Sequence, residues 1–336
     1  MNSNTTHNNL SNKKILTGDR PTGPLHLGHY FGTLSNRVRL QNSGYECFII
    51  IADYQVLTDR LDTHLIQENI IELAKDYLSV GMDPVRSTIF VQSQIPSLAE
   101  LTVLLSMLVS YSRVSRNPTV KEEIRSMSLA DNFSLVMFSY PVSQAADILL
   151  FNADLVPVGE DQLPHIELTR EIAQKFNSTY GDVFNIPKPL LSDSPRLMGL
   201  DGQSKMSKSR NNAIFLMDDK DQIYQKIKQA KTDSGDTISF DPINKPNISN
   251  LLFLFSLVTS KKIKVLESEY NSSDYKSFKS DLSESISNFL KPIQSRRKQL
   301  SDEYIRKILA DGTAKARIDS EITLRKVKLA MNFYTL

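Results

Sequence analysis

Residues Lys13–His29 read KKILTGDRPTGPLHLGH, and the fold turns on how this stretch is parsed. Lys13–Leu16 reads as a first β-strand, ended by Gly18. Leu27, Phe31, Leu34 and Val38 then recur at helical spacing, one face of a helix that stops near Gly44. A strand, a Gly/Pro-rich turn and an amphipathic helix in that order open a βαβ unit.

The pattern continues outward. Glu46–Ala52 (ECFIIIA) is continuously apolar, as expected of a strand buried on both faces. Thr63 is placed to cap a helix carrying Leu65, Ile66, Ile70, Leu73 and Leu78, which Gly81 and Pro84 end. Ser87–Val91 reads as a strand. Pro96 to about Tyr111 and Leu129 to Phe151 read as apolar helices, the second broken at Pro141. Leu155–Val158 is a short strand and Glu160 to Phe176 a helix. Beyond Asn212 helices dominate, so a domain change is expected between about Pro187 and Asn212. The fold class implied is α/β with a parallel sheet over residues 13–200, a loop at 201–212 and an all-helical part at 213–336. The last helix of that part is a candidate to pack back on the sheet. Met1–Asn12 is Asn- and Ser-rich with no apolar segment and is expected to be a disordered tail.

Composition excludes several classes. With 40% hydrophobic and 23% charged residues over 336, the chain can bury a core and is expected to be soluble. No run approaches the length of a membrane span. A single cysteine, Cys47, excludes a disulfide framework and a cysteine-rich zinc site. The net charge of +2 means that a nucleic-acid partner would have to use a local basic patch.

Gly18–His29 sits where α/β sheets bind nucleotides, at a strand end leading into a helix N-terminus. It lacks both the G-x-G-x-x-G pattern and the Lys-Ser/Thr of a P-loop. What remains is His26-x-Gly28-His29, two imidazoles on one face of the first helical turn. They could donate to a phosphate whose charge grows during displacement, or could be two surface histidines. Far downstream, Lys205-Met206-Ser207-Lys208-Ser209 follows Gly199 and Gly202. Two ammonium groups and two hydroxyls on a loop suit the outer phosphates of a nucleoside triphosphate; alone, such a string is usually solvated. A third feature is Asp147 within Ala145-Ala146-Asp147-Ile148-Leu149. A carboxylate in so apolar a helix needs a donor, either an internal Arg or Lys or a ligand such as an indole N–H.

HLGH at His26–His29 together with KMSKS at Lys205–Ser209 resembles the class I aminoacyl-tRNA synthetases. The strings Ala145–Leu149, Val156–Gln162 (VPVGEDQ) and His165–Arg170 (HIELTR) resemble the tryptophanyl members. So do Thr232-Asp233-Ser234 and Ile248-Ser249-Asn250, and the likeness runs from about Ile15 to the C-terminus. It implies a Rossmann-type catalytic domain followed by a helical anticodon-binding domain. It also implies ATP with Mg²⁺ as substrate, L-tryptophan, tRNA(Trp), a homodimer, a cytoplasmic enzyme and no tightly bound metal. By the same resemblance, His26 and His29 would stabilise the α-phosphate, and Lys205 and Lys208 would hold the outer phosphates. Arg20, Pro21, Thr22, Gly28, Met206, Ser207 and Ser209 would complete the ATP contacts, with Leu197 meeting adenine through its backbone. Gly159, Glu160 and Asp161 would line the ribose, and Lys121 would help hold pyrophosphate. Asp147 would accept the indole N–H, with Gln144, Tyr140 and Gln162 around the amino acid. Many bacterial members carry Met at the position of Gln144 and Gln at that of Arg20. A tyrosyl enzyme, a synthetase-like RNA-binding protein and a small adenylyltransferase are the alternatives. Arg296-Arg297-Lys298 is a candidate phosphate contact for tRNA, or else a solvated helix face, and the helices between Leu98 and Leu150 are a candidate dimer interface.

Overall fold

The computed structural model describes residues 13–58, 61–126, 133–191, 197–235 and 237–334. The tail at 1–12 and the helix start expected at Leu129 lie outside them. Five parallel strands, β1 (Lys14–Asp19), β2 (Glu46–Ile51), β3 (Ser87–Val91), β4 (Leu155–Val158) and β5 (Lys188–Leu191), form a sheet in the order β3-β2-β1-β4-β5. The chain winds outward from β1 through β2 to β3, then returns to the far side of β1 for β4 and β5. That reversal opens a crevice at the carboxyl ends of β1 and β4, where open α/β sheets bind ligands. β5 was not expected. It is four residues long and contains Pro189, but it lies at the sheet edge beside β4, where a missing N–H costs no ladder bond.

Between β1 and β2 come a single helical turn α1 (Leu27–His29), a π-helical turn (Tyr30–Leu34) and α2 (Ser35–Asn42). The one continuous helix expected here is thus widened directly after the histidine pair, a distortion frequent at functional sites. α3 (Ile66–Ser79) follows β2, with Leu65 rather than Thr63 at its cap. Between β3 and β4 lie α4 (Pro96–Ser106), α5 (Tyr111–Ser115), α6 (Pro118–Ser126) and α7 (Leu135–Leu150). The helix expected through Tyr111 ends at Ser106, because Ser110 adopts an extended backbone and starts α5 instead. α8 (Leu163–Tyr180) begins after a 3-10 turn at Glu160–Gln162 and runs past Phe176 to Gly181, at φ +104°. The remaining elements are α9 (Lys220–Gln229), α10 (Pro246–Thr259), α11 (Ile263–Glu269), α12 (Tyr275–Lys298) and α13 (Asp302–Ala330).

β2 explains its own composition. Cys47, Ile49 and Ile51 pack into one apolar cluster with residues of α3, α10 and α12, while Phe48 and Ile50 pack on the other face with α4, α7 and α8. The first cluster continues unbroken from the sheet into α9, α10 and α12. α13 lies across the other edge strand, β3; a Cβ on Gly312 would sit 2.0 Å from the Ile89 carbonyl oxygen, so glycine lets helix and strand touch. Covering this edge removes a surface on which another chain could add a strand.

The cluster Arg296–Lys298 holds elements of this chain together. Arg297 Nε donates to Asp76 at 2.8 Å and its Nη2 to Glu72 at 2.6 Å, while Arg296 Nε donates to the Ser79 carbonyl at 2.6 Å. Two of the three cations therefore clamp α12 to α3. No sequence pattern pairs residues more than two hundred positions apart.

Candidate active site

The ends of β1 and β4 wall a cavity of about 420 Å³, in the range of small-molecule sites. Arg20, Tyr140, Gln144, Asp147, Gly159 and Gln162 all line it. Gly18 permits the close walls, since a Cβ there would lie 1.9 Å from the Ile50 oxygen.

At the mouth, the sidewall is Asp19. Arg37 donates to its carboxylate through both Nη atoms, and Tyr77 Oη donates to it at 2.8 Å. Burial acts to raise the Asp19 pKa, but the Arg37 guanidinium outweighs it and holds the group at about 2. Asp19 therefore stays ionised beside His29. His26 is buried, and its ring centroid lies 3.8 Å from that of His29. The His26 amide donates to His29 Nδ1 at 3.3 Å. Burial, then the charge of His29 and those of Lys208 and Lys205, depress His26 to about 2; burial with Lys208 and Lys205 depresses His29 to about 4, against an opposing pull from Asp19. Both rings are neutral at pH 7, and the cations that disfavour their protonation also favour an anion beside them.

Those cations come from the distant loop. Lys208 Nζ donates to the Gly23 carbonyl at 2.7 Å and lies 3.3 Å from Thr22 Oγ1. Met206 is buried against the same turn, its Cβ 3.5 Å from where a Gly28 Cβ would stand. The loop's shape is set by Asn212, which sequence reasoning missed. Its Oδ1 accepts from the Ser207 amide at 2.9 Å, and its Nδ2 donates to Asp201, Ser204 and the Lys205 carbonyl. The helices behind support it further. Asp233 accepts from the Ile248 amide at 2.9 Å at the start of α10, and Asn250 Nδ2 donates to the Gly199 carbonyl at 3.2 Å. Leu197 is buried, and its carbonyl accepts from the Met206 amide at 3.0 Å.

At the deep end, Asp147 is buried and, among the described residues, meets neither Arg nor Lys. Its donor is the side-chain amide of Gln92, at 2.9 Å from each carboxylate oxygen. Burial pushes the Asp147 carboxyl up to about 7; Gln92 acts against that and the charge of Asp53 adds to it. Tyr140 Oη donates to Glu123 at 2.6 Å and lies 3.0 Å from His165 Nε2. Asn117 Oδ1 accepts from the Thr119 amide, so its Nδ2 faces His165 Nδ1 at 3.4 Å. His165 then carries its proton on Nε2 and donates to Tyr140. Burial raises the Tyr140 pKa, with Glu123 adding to the rise.

Other expected residues stand apart from the cavity wall. Glu160 and Asp161 are exposed on the 3-10 turn at its rim, and Gln162 Nε2 donates to Asp161 at 3.2 Å. Lys121 is exposed on α6, Pro21 is buried at the turn, and the Ser209 side chain is outside the described residues. No cluster of three or more metal-ligating side chains occurs among the described residues.

Residues 8–291 match the family described as class I tRNA synthetases for W and Y. The tryptophan--tRNA ligase of Clostridium longisporum is 45% identical over 330 residues, covering 95% of this chain and 96% of that protein. Among solved structures, a tryptophanyl-tRNA synthetase from Campylobacter jejuni complexed with ADP and tryptophane superposes with a TM-score of 0.83 at 30% identity, covering 95% of this chain and 100% of that one. That of Mycoplasma pneumoniae gives 0.84 at 28% identity, covering 96% and 98%. With histidine turn, lysine loop and aspartate cavity converging on one switch point, the chain belongs to the class I tRNA synthetases of the tryptophan and tyrosine family.

Proposed function

We propose that this protein activates L-tryptophan with ATP, taken as its Mg²⁺ complex, and transfers the aminoacyl group to the 2′-hydroxyl of tRNA(Trp). One observation carries the reading: Lys208 lies on the Thr22–Gly23 turn beside His26 and His29, while Asp147 waits in the cavity behind the same strand end. In the first step a substrate carboxylate oxygen attacks the α-phosphorus in line. The bond to the β-phosphate oxygen breaks and pyrophosphate leaves. His26 and His29 donate neutral N–H groups to the α-phosphate oxygens, while Lys205 and Lys208 take the charge of the departing pyrophosphate. Arg20, Pro21, Thr22 and Gly28 hold the nucleotide phosphates, with Lys121, Met206, Ser207 and Ser209 around the leaving group. Gly159, Glu160, Asp161 and the Leu197 backbone hold the adenosine. Gln162, Tyr140 and Gln144 orient the amino acid. In the second step the tRNA hydroxyl attacks the carbonyl carbon and AMP departs. Positioning rather than a protein nucleophile supplies the rate.

A second copy of the chain is the proposed partner for the exposed apolar side chains Val103, Tyr111 and Leu135 on α4, α5 and α7 and for Met107 just after α4, and cytoplasmic translation is the proposed setting. The test is amino-acid-dependent pyrophosphate exchange. Exchange with tryptophan but not tyrosine, and a raised tryptophan KM in Asp147→Ala, is the expected result. Exchange driven by tyrosine, or an unchanged KM, overturns the assignment.

A further inference from the structure

We infer that Gln92 is a positioning residue for amino-acid selection, holding the Asp147 carboxylate in the orientation that accepts an indole N–H. The inference rests on the reading that Asp147 faces the indole. Gln92 opens the 3-10 turn that follows β3 and is fully buried, at 0% exposure. Its amide can point only one way. The Tyr54 backbone N–H donates to Oε1 at 3.1 Å, which turns Nε2 toward Asp147. From there Nε2 reaches both carboxylate oxygens at 2.9 Å. Asp147 has no other hydrogen-bond partner among the described residues.

The choice of a neutral donor matters chemically. An Arg or Lys here would neutralise the carboxylate and compete for its lone pairs; an amide fixes the group and leaves most of its acceptor capacity unused. Asp147 itself lines the cavity, so that capacity is available to a ligand. The surrounding charges complete the picture. Asp53, fixed by the Ser93 amide at 2.9 Å, is the neighbouring carboxylate. Arg20, Glu123, Tyr140 and His165 line other walls of the cavity. Gln92 is thus the group that ties the acceptor to both β3 and the Asp53–Thr58 segment.

The test compares two ligands by calorimetry: tryptophan and its benzothiophene analogue, which keeps the ring shape and replaces N–H by sulfur. The ratio of their Kd values reports the N–H contribution alone, expected to be about 10- to 100-fold in the unmodified protein. In Gln92→Met the ratio is expected to fall about tenfold, while the analogue's own Kd changes by less than about twofold. The midpoint of the pH dependence of tryptophan binding is expected to move upward, because Asp147 loses the donor that favours its ionised form. A purely space-filling Gln92 would weaken both ligands together and leave the ratio and midpoint in place, which overturns the inference. Gln92→Glu, equal in shape, is the second variant should Gln92→Met not fold; its like charge is expected to abolish the N–H preference above neutral pH. Asp147→Ala separates the two readings. If it leaves the ratio intact, Asp147 is not the acceptor; if it collapses the ratio and Gln92→Met does not, Gln92 alone is misassigned.

Discussion

Arg297→Ala removes the ionic half of the clamp between α12 and α3, leaving the Arg296–Ser79 bond, and the structure sets the size of the effect. Arg297 bonds Asp76 at 2.8 Å and Glu72 at 2.6 Å, with side-chain exposures of 14% for Arg297 and 2% for Asp76. The Glu72 contact is partly solvated and contributes little, in the range of surface pairs at about 0–1 kcal/mol. The Asp76 contact is different. Without Arg297 the buried carboxylate keeps the Leu25 amide, at 3.3 Å, as its hydrogen-bond partner. Stranding a buried charge costs about 3–5 kcal/mol, and that is the expected loss in urea unfolding at pH 7. The sign with pH follows. Burial already raises the Asp76 pKa, with Arg297 the opposing cation, so deleting Arg297 raises it further. The folded state then binds a proton that the unfolded state lacks, and the deficit shrinks as pH falls below the raised value. A double variant, Arg297→Met with Asp76→Leu, is expected to recover at least half of the loss, because apolar replacement removes both charges. A second readout is catalytic. Leu25 precedes His26, so releasing Asp76 is expected to raise the ATP KM. A single variant within about 0.5 kcal/mol of the unmodified protein, with no pH dependence in the difference, would refute the reasoning.

Two further outcomes are expected. Lys208→Ala should slow pyrophosphate exchange by about 10²–10³-fold while tryptophan Kd stays unchanged, since in the proposed reading the ammonium acts on the phosphates and not on the amino acid; equal losses in rate and affinity would place Lys208 elsewhere. Acid should destabilise the fold between pH 6.5 and about 4. His26, His29 and His165 have folded pKa values of about 2, 4 and 4, so the unfolded chain binds three more protons in that window. Asp147, raised to about 7, binds one more in the folded state and offsets one of the three, and Asp76, also raised by burial, offsets part of another. The net of one to two protons gives a loss of about 1.4–2.7 kcal/mol per pH unit. Asp19 adds its own loss only as pH falls from about 3.9 toward 2. A urea midpoint that holds steady or rises from pH 6.5 to 5 would contradict the neutral imidazoles.

Much of this protein is local and therefore readable in one dimension. The parallel strands β1 to β4 declare themselves by apolar runs, because both faces of each are covered. The His26–His29 and Lys205–Ser209 strings stand out because the proposed triphosphate site calls for particular donors at short spacing. What escapes is partnership across distance. Asp147 announces that it needs a donor, but only packing reveals Gln92 rather than a cation, since the turn after β3 meets α7 through the fold and not through any spacing. Arg297 looks like a surface cation until α12 lies on α3, and Asn212 looks like a turn residue until the loop closes around its amide. β5, four residues with a proline, becomes a strand only because β4 offers it an edge. The chain alone determined which chemistry each segment can supply. The tertiary structure decided which groups supply it together, because burial and opposing charge, unlike periodicity, are properties of the whole fold.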